Sequence, residues 1–202
     1  MTDTYRTIAL PTDEILFKEK NSKFYGYAFP VKTEDEVKHL LEQIKKQHYA
    51  ARHWCYAYQI GTQKKTHRAN DDGEPNNSAG MPIYGQIQSF DLTNILVVVV
   101  RYFGGVKLGV GGLVTAYKTA AQMALEEAEI SEKTIDAHFL IRFDYKNMNK
   151  VMRIIKEKNL NVTGQTLELD CLIEISCRLS HKDEIFEAFN QLFEVSISEK
   201  ED

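Results

Sequence analysis

The chain has 202 residues and a mass of 23.2 kDa, with 43% apolar and 27% charged residues, a composition that fits one large or two small globular domains and excludes a disordered chain. Its longest apolar run, Ile95 to Val100, is six residues, far short of the roughly 20 a membrane helix needs. The N-terminus has no apolar h-region, so no secretory signal is expected, and three cysteines, an odd number, suit a reduced cytoplasmic protein. The net charge of −4 is unevenly placed. Residues 1–134 hold 16 basic and 16 acidic side chains, and residues 135–202 hold 9 and 13. Residues 43–70 contain no Asp or Glu but carry Lys45, Lys46, Arg52, Lys64, Lys65 and Arg68. Residues 92–125 are also acid-free, with Arg101, Lys107 and Lys118. A pI near 5.9 argues against bulk DNA coating but allows a local basic face.

In chain order, residues 14–18 and 23–29 are predicted as strands joined by a turn at Asn21-Ser22. Val37, Leu40, Leu41 and Ile44 recur at spacings of three and four, which predicts a helix over 34–47 with Thr33 and Glu36 as a capping box. Residues 53–60 read as a strand and 66–69 as its hairpin partner. Residues 71–78 read as a loop, and 79–88 as a short helix capped by Ser78. The valine run makes 94–102 a buried strand. Residues 104–112 read as a glycine-rich loop and 113–128 as an alanine-lined helix. A joint is expected at 131–136. Beyond it the order is β-α-β-β-α-β, a ferredoxin-like split motif, with Asn147 and Ser180 as possible helix caps. The domain ranges are therefore 1–134 and 135–202.

Four patterns bear on chemistry. Arg101-Tyr102-Phe103-Gly104-Gly105-Val106-Lys107-Leu108-Gly109-Val110-Gly111-Gly112 joins a buried strand to a helix. Glycines expose backbone N–H groups and a helix N-terminus attracts anions, so a phosphate contact is reasonable. Neither the P-loop nor the dinucleotide fingerprint is satisfied, and the glycines equally suit tight turns. The loop containing Asp71, Asp72 and Glu74 is oxygen-rich, which suits a hard cation or a solvated turn facing nearby lysines. His53 and Cys55 share a strand face and, with His67, offer either zinc ligands, a Cys–His pair or ordinary packed residues. Trp54, Tyr56 and Tyr58 share the opposite face. They are either core or a stacking platform for single-stranded nucleic acid.

Taken together, Ala51-Arg52-His53-Trp54-Cys55-Tyr56-Ala57-Tyr58, Asn70-Asp71-Asp72-Gly73-Glu74-Pro75, Ala79-Gly80-Met81-Pro82-Ile83, the Arg101-Tyr102-Phe103-Gly104-Gly105 segment and Gly111-Gly112-Leu113-Val114 resemble the IMPACT family, in its bacterial YigZ-type branch. The resemblance covers nearly all of residues 5–130. Thr115 stands where the family often has arginine, and Asn77-Ser78 where Gly-Thr usually precedes Ala-Gly. The resemblance implies an α+β fold: an N-terminal domain like the second domain of a small-subunit ribosomal protein (a left-handed βαβ), then a ferredoxin-like domain like the C-terminal domain of elongation factor G. Eukaryotic relatives regulate translation by competing for an activator of a stress-responsive kinase. They do so with an extra domain not expected here, so that pathway is not carried over.

The leading expectation is a translation regulator that binds RNA or the ribosome. Arg52, His53, Lys64, Lys65, Arg68, Arg101 and Lys107 would form its basic surface, and Gly104, Gly105, Gly109 and Gly111 would shape the anion-facing backbone. The Asp71–Glu74 loop would order or face that surface. No catalytic residue, metal or cofactor is expected. The alternatives are a metal-assisted hydrolase using the Asp71/Asp72/Glu74 loop, or a protein–protein adaptor acting through the acidic C-terminal domain.

Overall fold

The structure is a computed structural model that describes residues 3–200, so Met1, Thr2, Glu201 and Asp202 of the expected domain ranges lie outside the described residues. The chain divides into two compact units, Tyr5–Lys133 and a unit from Thr134 onward that also takes in Asp3 and Thr4.

The first unit is built on a five-stranded antiparallel sheet of order β2-β3-β6-β4-β5, with β2 at Ile15–Glu19, β3 at Ser22–Pro30, β4 at His53–Ile60, β5 at Thr66–Asn70 and β6 at Ile95–Tyr102. β6 is central because it is apolar on both faces. Val97 and Val99 join Phe24, Cys55 and Ala57 beneath α2 (Gly80–Ser89) and α3 (Gly109–Glu126). Leu96, Val98 and Val100 join Tyr27 and Tyr58 beneath α1 (Glu34–Gln47). A strand buried on both faces has no use for polar alternation, which explains the continuous run. β3 and β4 flank β6, parallel to each other, and α1 makes the crossover between them. The alanines of α3 let it lie close to the sheet: a Cβ at Gly26 would stand 2.8 Å from the Ala120 carbonyl.

Two short strands were not expected. β1 (Thr4–Ile8) and β7 (Ile130–Thr134) pair with each other, so the anticipated joint at 131–136 is largely strand. Ile8 anchors β1 in the α2/α3 core. A single anchoring residue in a five-residue strand carries little periodic signal.

The second unit contains β8 (Asp136–Asp144), α4 (Met148–Glu157), β9 (Asn161–Leu167), β10 (Asp170–Arg178), α5 (Lys182–Asn190) and β11 (Val195–Glu199). Sheet order β11-β8-β10-β9 with both helices against Phe139, Ile141, Phe143, Ile173 and Ile175 is the ferredoxin-like arrangement, and the α+β class holds throughout. The expected caps differ. Asn147 stands at the N-cap of α4 without a side-chain bond, and Ser180 falls in a short 3-10 turn, Leu179–His181, ahead of α5.

Candidate nucleic-acid interface

Strand register brings several sequence-distant residues to one end of the first sheet. His53 pairs with Arg101, and Tyr102 with Lys23, which pairs in turn with Lys18. The C-terminus of α1 reaches the same end. There Lys45 lies 5.5 Å over the Trp54 ring, and His48 packs against Tyr25, Tyr27 and Tyr102. Arg52 precedes β4 and Lys107 follows β6, and both are exposed. Lys64 and Lys65 occupy the β4–β5 hairpin at the opposite end, eight residues of strand away, or about 26 Å at ~3.3 Å per residue. Arg68 pairs with Tyr58, nearer the hairpin than to Arg52. The expected basic surface is therefore divided. Arg52, His53 and Lys107 share one end; Lys64 and Lys65 hold the other. Lys18 and Lys23 lie outside the acid-free stretches, so only the register reveals them.

Arg101 does not join that surface. Alternation along β6 puts it on the α2/α3 face beside Val97 and Val99, and it is 5% exposed. Its Nη1 donates to Glu74 Oε1 at 2.6 Å, and its guanidinium lies 5.6 Å from the rings of Phe24 and Phe103. The rest of the carboxylate loop is equally engaged. Asp71 accepts from the backbone N–H groups of Asn77, Ala79 and Gly80 at 2.8–2.9 Å. It thereby caps α2 from a distance, in place of the expected Ser78, whose hydroxyl donates to the Pro75 carbonyl. Asp72 Oδ2 accepts from Trp54 N at 2.8 Å. Each acid thus holds a neighbouring segment in place and faces inward rather than toward the lysines, and no group of three or more His, Cys, Asp or Glu side chains among the described residues is arranged to hold a metal ion.

The glycines separate by role. Gly104 lies against the β2–β3 turn, where a Cβ would come within 2.0 Å of the Asn21 carbonyl carbon. Gly105 and Gly109 have φ of +86° and +70°, which L side chains avoid. Gly111 faces open space. The segment is less of a loop than expected, since α3 begins at Gly109. Its N-cap, Leu108, makes no side-chain bond, its first turn carries no acid, and Gly109, Val110 and Gly111 are exposed. Orphan N–H groups and the positive end of an 18-residue helix therefore open onto solvent next to Lys107.

His53 is half-buried, and its Nδ1 donates to the Asp72 carbonyl at 2.8 Å, leaving Nε2 as the other ring nitrogen. Cys55 is fully buried and its Sγ donates to the Asp71 carbonyl at 3.0 Å; burial pushes its thiol well above the ordinary range, the reverse of an activated nucleophile. His67 stacks on Tyr84 at 4.3 Å and pairs with Gln59, six residues along β4 from His53. A His53–Cys55–His67 zinc site is not assembled. Trp54 and Tyr56 are neither wholly core nor free. They are half-buried beside α1, and Tyr58 is buried. Tyr49 is 85% exposed at the end of α1, and Phe103 is exposed after β6.

The Impact N-terminal domain matches residues 20–125, a span that runs from the β2–β3 turn to the last turn of α3 and takes in four of the five strands of the first sheet. The chain belongs to the IMPACT family. The IMPACT family member YvyE of Bacillus subtilis is 35% identical over 157 residues, covering 78% of this chain and 72% of that protein. The IMPACT family member YigZ of Escherichia coli is 27% identical over 159 residues, covering 78% of each. The crystal structure of a hypothetical protein superposes over 100% of this chain and 99% of its own, with a TM-score of 0.75 at 24% identity, so the fold of both units is shared with that protein. No helix among the described residues is long and apolar enough to cross a membrane.

Proposed function

We propose that this chain is a cytoplasmic translation regulator that contacts RNA, on the ribosome or free, through the end of the first sheet where β4 begins and β6 ends. One observation carries the reading. The N-terminus of α3 is uncapped, free of acids and solvent-facing beside Lys107, at the sheet end that also presents Arg52, His53, Lys18 and Lys23. Backbone amides at a helix N-terminus suit a phosphate oxygen. Lysines and arginine around it add the long-range attraction on which non-specific nucleic-acid affinity rests. Tyr49, Trp54, Tyr102 and Phe103 border the same end and offer rings for an unpaired base. Family membership supports the translation setting, since the resemblance implies relatives that regulate translation.

The hydrolase alternative gains no support, because Asp71, Asp72 and Glu74 are each taken up by internal donors. The test is co-sedimentation with ribosomes at low and moderate salt. Pelleting that weakens steeply as salt rises, and that is lost in Arg52→Glu/Lys107→Glu, supports phosphate contact at this end. Absence of pelleting at low salt contradicts the ribosome as the partner.

A further inference from the structure

The second unit carries a surface that the RNA reading does not use. Three connections meet at the end of its sheet where β8 stops and β10 and β11 start. Each presents one large apolar side chain: Tyr145 after β8 is 62% exposed, Leu169 in the β9–β10 turn is 88% exposed, and Phe193 before β11 is 81% exposed. β10 and β11 flank β8, so the outer two connections are about 10 Å apart with Tyr145 between them. The arrangement is tied together. Tyr145 N donates to the Leu169 carbonyl at 3.2 Å, and Lys146 Nζ lies 2.6 Å from Glu194 Oε2. A recess of about 470 Å³ opens beside the trio, lined in part by Arg142, Asp144, Asp170, Leu172 and Val195.

Exposed aromatic and aliphatic side chains converging from three separate connections mark an interaction site rather than scattered surface apolars. The charge around them says what fits. Asp144, Glu168, Asp170 and Glu194 are exposed at this end, against Arg142 in the wall of the recess, Lys150 in the first turn of α4, and Lys146, which pairs with Glu194 and Asp144. Four acids against three bases leave the rim negative by one charge, in the domain that holds the chain's whole excess of acid.

We infer that Tyr145, Leu169 and Phe193 form a docking surface for a polypeptide segment that presents apolar side chains flanked by Lys or Arg. The apolar side chains of the partner cover the trio and enter the recess, and its cations meet Glu168 and Asp170, the two carboxylates not paired with Lys146. Steering by the acidic rim raises the association rate, and the buried aromatic contacts set the dissociation rate. Nucleic acid is disfavoured here, since phosphates would meet carboxylates.

The test is fluorescence anisotropy with the full chain and a short fluorescein-labelled peptide built of Leu, Phe, Lys and Arg. Saturable binding is expected. It should fall by about ten-fold or more in Leu169→Ser/Phe193→Ser and by a similar factor when Glu replaces the peptide's Lys and Arg. Leu10→Ser, at an exposed apolar position of the first unit, should leave it unchanged. Both substitutions in the double variant are at solvent-facing sites, and an unchanged thermal midpoint confirms the fold. Equal binding by the double variant overturns the proposal, as does equal binding of a peptide with Ser in place of Leu and Phe. A concentration-dependent dimer that Phe193→Ser abolishes also overturns it, because a second copy of the chain then occupies the surface. No RNA enters this assay, so its failure leaves the RNA reading untouched.

Discussion

Arg101 and Glu74 form a buried ion pair, Nη1 to Oε1 at 2.6 Å, with side chains 6% and 5% exposed. The same Glu74 oxygen accepts from Tyr117 Oη on α3 at 2.8 Å. One carboxylate thus links the 70–78 loop, β6 and α3. The pair explains why a basic residue in a family motif is withheld from solvent: it holds together the segments that frame the exposed end of the sheet.

Removing one partner leaves the other charge buried and alone. Glu74→Leu is expected to cost about 3–5 kcal/mol in urea unfolding, and Arg101→Met a similar amount. The double variant Glu74→Leu/Arg101→Met should recover much of that loss, because a well-packed apolar pair can replace a buried ion pair. Additive losses in the double variant would show that the two side chains do not act as a pair.

Asp71 satisfies three backbone donors at the start of α2. Asp71→Ala is therefore expected to destabilise the first unit by about 1–3 kcal/mol. Asp71→Asn, which keeps an acceptor, should cost less. A hydrolase in which Asp71 binds metal would instead lose metal and turnover in the Asn variant with little change in stability.

Two glycines of one motif should respond in opposite ways. Gly104→Ala drives a Cβ into the backbone of Asn21 and should cost about 3 kcal/mol or more. Gly111→Ala meets open space in a helical conformation and should stabilise by up to about 1 kcal/mol. Thermal midpoints of the two variants check both statements. If the α3 amides approach a phosphate closely, Gly111→Ala weakens RNA binding while raising the midpoint.

The regular elements with strong local signals are legible in the sequence. Helix α1 runs from 34 to 47 as its periodicity predicts. Thr33 Oγ1 accepts from Glu36 N at 3.2 Å, although the Glu36 carboxylate bonds Lys32 N rather than Thr33 N. The alternation that separates Trp54, Tyr56 and Tyr58 from His53, Cys55 and Ala57 also appears as two differently covered faces. What is not legible depends on tertiary partners. Asp71 in place of Ser78 as the α2 cap, Arg101 turned toward Glu74, and Lys18 and Lys23 brought to the basic end all require strand register or a contact across the loop. Gly109 to Gly112 read as loop because glycine is a poor helix former, and packing of Leu108 and Leu113 in the core overrides that preference.

His48 is buried among Tyr25, Tyr27 and Tyr102, with Glu14 at its edge. A neutral ring satisfies the hydrogen bonds: Tyr102 Oη donates to Nδ1 at 3.1 Å, Nε2–H donates to Tyr27 Oη, and Tyr27 Oη donates to Glu14. Desolvation lowers its pKa below the usual 6.5, against an opposing pull from Glu14. The unfolded chain therefore binds this proton more readily than the folded one. Its contribution to stability is fully present above pH 6.5 and is lost as pH falls through the lower folded value. Urea midpoints measured from pH 8 downward should decline below pH 6.5, and His48→Gln should flatten that part of the profile.

The proposed interface puts nucleic acid on the first unit at the β4-start end and not at the Lys64–Lys65 hairpin. The most direct measurement is the salt dependence of binding to a fluorescein-labelled single-stranded RNA, compared among the full chain, Arg52→Glu/Lys107→Glu and Lys64→Glu/Lys65→Glu. The two double reversals change net charge equally, so bulk electrostatics cancels between them. We expect the Arg52/Lys107 reversal to lose binding and the hairpin reversal to keep most of it, with a log–log salt slope reduced by less than about 1. Equal losses in the two variants, or a greater loss in the hairpin variant, would contradict the assignment.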